Sequence, residues 1–275
     1  MSLPIPDGFH CQDIELVRSK LTSFATAGPQ KLHIVSDFDL TLTAGKHPGD
    51  NLGTWDVMDA IMPEEGVARH TAIYQSFRPI EVAGKLTQAI AAEKWTETLD
   101  LLTSYHMNID DIEAAFLSVA TLRPGAKDIF DTCKRIGIPT VILSSGIRNV
   151  IEIMAKHYDI HPDFILSNDL VIDESGHVSG WHRDSLIHVL NKHEMGHGEL
   201  SKLRATHPNI LLLGDVTADA DMVVGRDDVI RIRVLDPRKG EVHNQVAALQ
   251  ASFDTGYDLV TEHSLEPVVK ILEQM

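Results

Sequence analysis

A chain of 275 residues with 43% hydrophobic content is long enough for one large domain, or for a core with a smaller insert. The formal net charge of −16 argues against a nucleic-acid groove or an anionic membrane surface, since both need clustered lysine and arginine. Two cysteines far apart, Cys11 and Cys133, suggest a reducing compartment; no run reaches the roughly 20 apolar residues of a membrane span, and the opening residues lack signal-peptide character, so a cytoplasmic protein is expected.

Residues 9–27 carry Ile14, Leu16, Val17, Leu21 and Phe24 at helical spacing and stop at Gly28-Pro29, which predicts a helix laid over a sheet. Leu32-His33-Ile34-Val35-Ser36 then reads as a strand buried on both faces, and it runs into Asp37-Phe38-Asp39-Leu40-Thr41. Residues two apart on an extended chain point the same way, so Asp37 and Asp39 should emerge together. Carboxylates roughly 5 Å apart repel by about 3 kcal/mol at an effective dielectric near 20, and a divalent cation is the usual compensation. Taken alone the motif reads equally well as two solvated acids at a strand end.

From Ala44 to Gly53 the composition predicts a flexible connection leaving the core, and from Thr54 to about Leu122 the pattern is helical. Breaks are expected before Val67, near Ile80 and before Ile112, with Asn108 or Asp110 starting the last helix. A helical block directly after such a strand end is most simply a cap that excludes water and holds the unreacting part of a substrate.

Arg123-Pro124-Gly125 marks the return to the core, followed by a helix from Ala126 to Ile136 closed by Gly137. Pro139 to Gly146 is a second buried strand, ending in Ser144 and Ser145, with a helix from Ile147 to His157. Phe164 to Asn168 is a third strand, Leu170 to Val178 a hairpin, Ile210 to Asp215 a fourth strand, Val229 to Val234 a fifth and Tyr257 to Val260 a sixth. Strands alternating with helices predict an α/β fold: a mostly parallel, Rossmann-like sheet with helices on both faces and a helical cap. The expected division is core 1–45 and 122–275, cap 46–121. Ligands bind at the carboxyl ends of such strands, where Asp37, Asp39, Ser144 and Asp215 all fall. Asp219 follows Asp215 by about a turn; Asp219 or Asp221 alone could simply favour a helix dipole. Lys192 supplies the cation an acidic rim needs to hold a phosphate, with Lys202 as its rival, and the N–H groups around Ser145 and Gly146 suit an anion.

In this order, Asp37-Phe38-Asp39-Leu40-Thr41, Ser144, Lys192 and Gly214-Asp215 with Asp219 resemble the four motifs of the haloacid dehalogenase superfamily. Phe77-Arg78-Pro79-Ile80-Glu81, Leu143 to Ile147, and Leu166-Ser167-Asn168 through Leu186-Ile187-His188 to Asn191-Lys192 resemble its cytosolic pyrimidine 5′-nucleotidase branch. The resemblance implies a Mg²⁺-dependent phosphomonoesterase acting on nucleoside, and first of all pyrimidine, monophosphates. In that pattern Asp37 is the nucleophile and Asp39 the acid and base. Ser144, Ser145 and Lys192 bind phosphate, and Glu81 and Trp95 bind the nucleoside. Mg²⁺ falls to Asp37, the Asp39 carbonyl, Asp215 and, through water, Asp219. Two stretches depart from the family: Ala44 to Gly53, and Lys94, where the family tends to carry another aromatic. The competing expectations are a phosphatase for phosphoserine or another small metabolite, and a catalytically silent binding protein. A dehalogenase is disfavoured, because it would have no use for Asp39.

Overall fold

The computed structural model describes residues 2–46, 53–225, 227–235 and 245–275. Its elements run β1 (Phe9–Cys11), α1 (Ile14–Ala27), β2 (Leu32–Ser36), β3 (Thr43–Gly45), α2 (Thr54–Ile61), α3 (Glu64–Val82), α4 (Gln88–Thr103), α5 (Ile109–Val119) and β4 (Ala120–Leu122). They continue as α6 (Ala126–Ile136), β5 (Thr140–Ile147), α7 (Arg148–Tyr158), β6 (Phe164–Asn168), β7 (Leu170–Ile172), β8 (Val178–Trp181) and α8 (Gly198–Thr206). The last are β9 (Asn209–Gly214), β10 (Val229–Leu235), α9 (Gln245–Asp254), β11 (Leu259–Glu262) and α10 (Glu266–Leu272).

Seven strands form one sheet in the order β1-β11-β10-β9-β2-β5-β6, parallel except for the edge strand β1. Alternate residues feed opposite layers. Ile34, Ile142 and Leu211 pack with the side holding α1, α6 and α10, while Val35, Val141 and Leu212 pack with Leu200, Ile187 and Met222. Burial on both faces is why these strands read as unbroken apolar runs. The chain passes from β2 to β5 and β6 on one side and returns as β9, β10 and β11 on the other. The carboxyl end of β2 therefore lies at the switch point of the sheet, where a crevice opens.

Local signals account for most boundaries. Asp13 accepts from Leu16 N at 3.0 Å and starts α1, so the helix expected from residue 9 begins at Ile14. Phe9–Cys11 instead pairs antiparallel with β11. Asn108 starts α5, accepting from Asp110 N at 2.8 Å. The expected break near Pro79 falls later: α3 runs through Pro79 to Val82, and the chain turns at Gly84, whose φ is +64°. Ala44 and Gly45 lie in β3 rather than in a connection, and residues 47–52 of that stretch lie outside the described residues.

Helices α2 to α5 lie between β3 and β4, which pair antiparallel as a two-stranded ribbon with Thr43 opposite Leu122. Their apolar faces join the core through Met58, Leu99, Ile112 and Phe116, the last stacked with Phe38 at 6.4 Å. The ribbon is fixed by Arg123, whose buried guanidinium donates to Leu40 O from Nε at 3.1 Å and from Nη2 at 2.6 Å. Leu40 itself sits in the left-handed region at φ 63°, a cost of order 1–3 kcal/mol that such over-determination sustains. Among the described residues no helix is long and apolar enough to cross a membrane.

Gly125 opens α6 at φ +84°, and a Cβ there would meet Glu266 N at 2.4 Å and Leu265 C at 2.6 Å. Both neighbours are backbone and cannot swing away. Gly125→Ala is therefore expected to cost about 2 kcal/mol or more, read as a lowered thermal midpoint.

Candidate active site

Four charged side chains meet where β2 ends. The Lys192 ammonium donates to Asp37 Oδ1 in a short ion pair and to Asp219 Oδ1 at 3.0 Å, and all three groups are buried. Thr41 Oγ1 donates to the other Asp37 oxygen at 2.9 Å and lies 3.5 Å from Asp215 Oδ1. Carboxylate oxygens of Asp37, Asp215 and Asp219 come within 4.8 Å of one another, a group able to hold a metal ion. Two of the three carboxylates, Asp37 and Asp219, thus share one ammonium. Burial, with Asp219 and Asp215 nearby, pushes Asp37 up to about 8 despite the lowering by Lys192. The same carboxylates hold Lys192 charged, raising it against its own desolvation.

Asp219 also orders its own loop, a 3-10 turn over Thr217–Met222, with Oδ2 accepting from Asp215 N at 3.1 Å and Val216 N at 3.2 Å. Gly214 permits this, since a Cβ there would fall 2.4 Å from Asp219 Cβ.

Asp39 points elsewhere. Its carboxylate takes hydrogen bonds from the first residue of α2, Thr54, at 2.9 Å from the backbone N–H and 2.7 Å from the hydroxyl. Burial raises Asp39 to about 6, with the Thr54 bonds pulling the other way. Gly146 makes room for this contact: a Cβ would meet Asp39 Oδ2 at 2.7 Å and Thr54 Oγ1 at 2.8 Å.

Ser144 sits buried at the end of β5, its Oγ accepting from Gly146 N at 3.0 Å, which leaves the hydroxyl proton available to another acceptor. Ser145 is half-buried beside it, on the same cavity wall. Strand β5 runs on to Ile147, and the helix expected from Ile147 starts at Arg148, so the N–H groups around Ser145 and Gly146 belong to the strand end.

The loop bearing Lys192 is sewn in place by side-chain amides. Asn168 donates to Ser145 O at 2.9 Å and Ile187 O at 2.9 Å, and accepts from Ile187 N at 2.8 Å. Asn191 accepts from His188 N at 2.7 Å and donates to Leu186 O at 2.8 Å. Two residues on, the wholly buried Glu194 joins His33 Nε2 on β2 to Arg204 Nη1 on α8 at 3.0 Å, and Arg204 continues to Asp228 at 2.7 Å. Lys202, the rival lysine, is exposed and paired with Glu199.

A cavity of about 540 Å³ opens above these groups, within the range of small-ligand sites. Its floor includes Asp37, Asp39, Ser144, Ser145, Lys192, Asp215 and Asp219, so the polar residues singled out in the core converge. Its far wall comes from α2, α3 and α4, and Trp95 is part of it. That indole is buried and anchored, its Nε1–H donating to Ser145 O at 3.2 Å. Glu81 is not among the lining residues: its carboxylate lies behind Lys94, which it holds at 2.6 Å, with Arg78 at 3.3 Å. Sequence reasoning missed Thr54, Trp55, His70 and Tyr74, which do line or support the site. No sequence signal set them apart, and the structure alone shows Tyr74 left 46% exposed on a helix that buries Phe77 three residues later.

The family model described as pyrimidine 5′-nucleotidase (UMPH-1) matches residues 41–275. A 7-methylguanosine phosphate-specific 5′-nucleotidase A of Xenopus laevis is 29% identical over 99% of this chain and 98% of its own. The Homo sapiens 7-methylguanosine phosphate-specific 5′-nucleotidase is 29% identical over 86% of this chain and 81% of its own. Among solved structures, cytosolic 5′-nucleotidase IIIB bound to cytidine superposes with a TM-score of 0.81 at 24% identity, covering 99% and 98% of the two chains. A HAD-family hydrolase of Salmonella enterica shares the fold at a TM-score of 0.56 and 18% identity, covering 90% and 73%.

A carboxyl raised in the folded state keeps its proton after the unfolded chain has released its own near pH 4. Without a divalent cation, stability should therefore fall as pH rises from about 4, through the Asp39 value of about 6 and the Asp37 value of about 8, and level off above. Thermal melts in EDTA should show this decline, Asp37→Asn should flatten its upper part, and adding a divalent cation near pH 8 should reverse it.

Proposed function

The chain belongs to the pyrimidine 5′-nucleotidase (UMPH-1) family and is a phosphomonoesterase, and from that premise we propose that it hydrolyses nucleoside 5′-monophosphates, pyrimidine ones first, with Mg²⁺ and through an aspartyl-phosphate on Asp37. The observation that carries this reading is one cavity whose floor holds Asp37, Asp39, Ser144 and Lys192 and whose far wall is aromatic. Helices α2 to α5, within residues 46–121, act here as the cap, and residues 1–45 and 122–275 as the core.

An Asp37 oxygen attacks phosphorus, splitting one difficult displacement into two. Lys192 and Thr41 hold the two Asp37 oxygens from either side, which fixes the carboxylate for in-line attack. Asp39, raised toward neutrality, gives its proton to the departing ribose oxygen and later takes one from the water that attacks the phosphoenzyme. Thr54 aims that carboxyl. The Ser144 hydroxyl, the backbone about Ser145 and the Lys192 ammonium bind the phosphoryl oxygens.

The donor set fits Mg²⁺: three carboxylates offering oxygen ligands only, close enough together to share one ion. Asp37, the Asp39 carbonyl and Asp215 would hold it directly. Asp219, whose oxygens are already engaged by Lys192 and two backbone N–H groups, would act through water. The bound ion supplies charge neutralisation for the phosphate and the carboxylates.

The nucleoside occupies the space beneath α2, α3 and α4, with Trp55, Tyr74 and Trp95 as its aromatic surroundings and Glu81 acting on it through Lys94. A second reading, 7-methylguanosine monophosphate as substrate, is favoured by the specificity named for the Xenopus and human relatives.

A panel of UMP, CMP, 7-methylguanosine monophosphate and phosphoserine, assayed with Mg²⁺ and with EDTA, tests both readings. Nucleotide turnover that disappears in EDTA is expected; turnover of phosphoserine alone would refute a nucleotidase. Asp37→Asn should lower kcat by about 10³ or more with the fold retained. Gly146→Ala should displace Asp39 and Thr54, and crowd Ser144 Oγ at 3.2 Å, and so lower kcat by about tenfold or more, with a smaller rise in KM, because the proton donor is displaced most and the phosphate ligand least.

A further inference from the structure

Lys94 lines the cavity wall together with Tyr74 and Trp95. Its ammonium sits 4.9 Å from the Trp95 ring centroid and 5.2 Å from that of Tyr74, both within cation–π range. Among the described residues its sole hydrogen-bond acceptor is Glu81 Oε1 at 2.6 Å. An ammonium carries three donors, so two remain for the cavity.

The arrangement uses up what a positively charged base would need. The indole face is covered by the chain's own cation, and the Glu81 carboxylate is committed to that cation. The Trp95 ring also meets that of His188, tilted at 6.2 Å, and its N–H is tied to Ser145 O. The α2 acids of the same wall have partners of their own: Asp59 with His70 Nδ1 at 2.6 Å, and Asp56 with Gly53 N at 2.9 Å. What the site offers an incoming base is a positive donor above aromatic surface, which suits a neutral ring presenting a carbonyl oxygen and repels a quaternised one.

We propose that Lys94, held by Glu81, is the specificity-determining residue of this site, selecting nucleotides with a neutral, carbonyl-bearing base and rejecting those with a cationic base. The inference rests on the 5′-nucleotidase reading and adds to it the class of base. It makes Lys94 rather than Trp95 the principal contact to the base.

The test is the ratio of kcat/KM for UMP to that for 7-methylguanosine monophosphate, measured below neutral pH where the methylated base is fully cationic, with GMP as the uncharged purine of similar shape. The wild-type protein should favour UMP, and should favour GMP over its methylated form, by at least about tenfold. Lys94→Met should collapse both ratios by about tenfold or more, mainly by improving KM for the cationic nucleotide. Lys94→Arg, which keeps the charge, should hold them within about threefold. Glu81→Gln strips the compensating charge and should push both ratios further toward the neutral bases. Ratios unmoved by Lys94→Met, or a wild-type preference for the methylated nucleotide, would overturn the proposal while leaving the nucleotidase standing. Should Lys94→Met fail to fold, the Glu81→Gln shift decides instead, and no shift counts against the proposal. Turnover of phosphoserine with no nucleotide hydrolysed would bring down the broader reading and this one with it.

Discussion

Three carboxylates around one buried ammonium is an arrangement that a protein interior resists. Asp37, Asp219 and Lys192 have left water, and Asp215 stands half-buried beside them. Burial, above all, raises Asp37, while Asp219 and Asp37 raise Lys192 against the lowering effect of its own burial. Such a cluster survives only where its members cannot move apart. Asp37 is held by β2 at the centre of the sheet, with its own N–H continuing the ladder to Leu213 O at 3.0 Å. Lys192 is held by a loop in which Asn168 and Asn191 replace secondary structure with side-chain amides. Behind it, Glu194 ties the loop back to His33, on the very strand that carries Asp37. The acids and the lysine are thus two ends of one covalently and electrostatically closed path.

The site is finished by the helices inserted between β3 and β4. Thr54 reaches down to Asp39, Trp95 to Ser145 O, Gln88 to Leu190 O at 2.6 Å, and the Trp181 indole on β8 reaches up to Asp100 at 2.8 Å. These contacts are polar and directional, laid over an apolar seam that includes Phe116 and Phe38. The seam supplies adhesion and the hydrogen bonds supply alignment.

The core was legible in the sequence because burial on both faces writes itself as uninterrupted runs of Val, Ile and Leu, each ending in a polar residue at the same rim. Lys192 and Lys202 could not be told apart by spacing, since what separates them is the distant partner each one meets, Asp37 for one and Glu199 for the other. Edge strand β1 and the β3–β4 ribbon escaped notice because three-residue strands carry no period, and their pairing partners lie far along the chain. The cavity wall was the least legible part. Trp55, His70 and Tyr74 lie on helices where an inward-facing aromatic and a solvent-facing one have the same sequence signature. Glu81 and Trp95 were both placed near the site, yet the geometry distributes their parts differently, with Glu81 one side chain further back and Trp95 serving as a strut. Asn168, Asn191 and Gly146 belong to stretches the family resemblance already marked, and their hydrogen bonds and close approaches give a physical reason for those stretches.

The β3–β4 ribbon has an architectural corollary. Because the strand leaving the core and the strand returning to it lie side by side, with Arg123 clamping the junction through Leu40 O, the whole helical block enters and exits through a single doorway. A block attached in that way can be lengthened, shortened or exchanged without re-threading the sheet. On the proposed function, phosphate chemistry and choice of nucleoside would then be separable inheritances: one lodged in the strand ends, the other in a module free to diverge at its own pace.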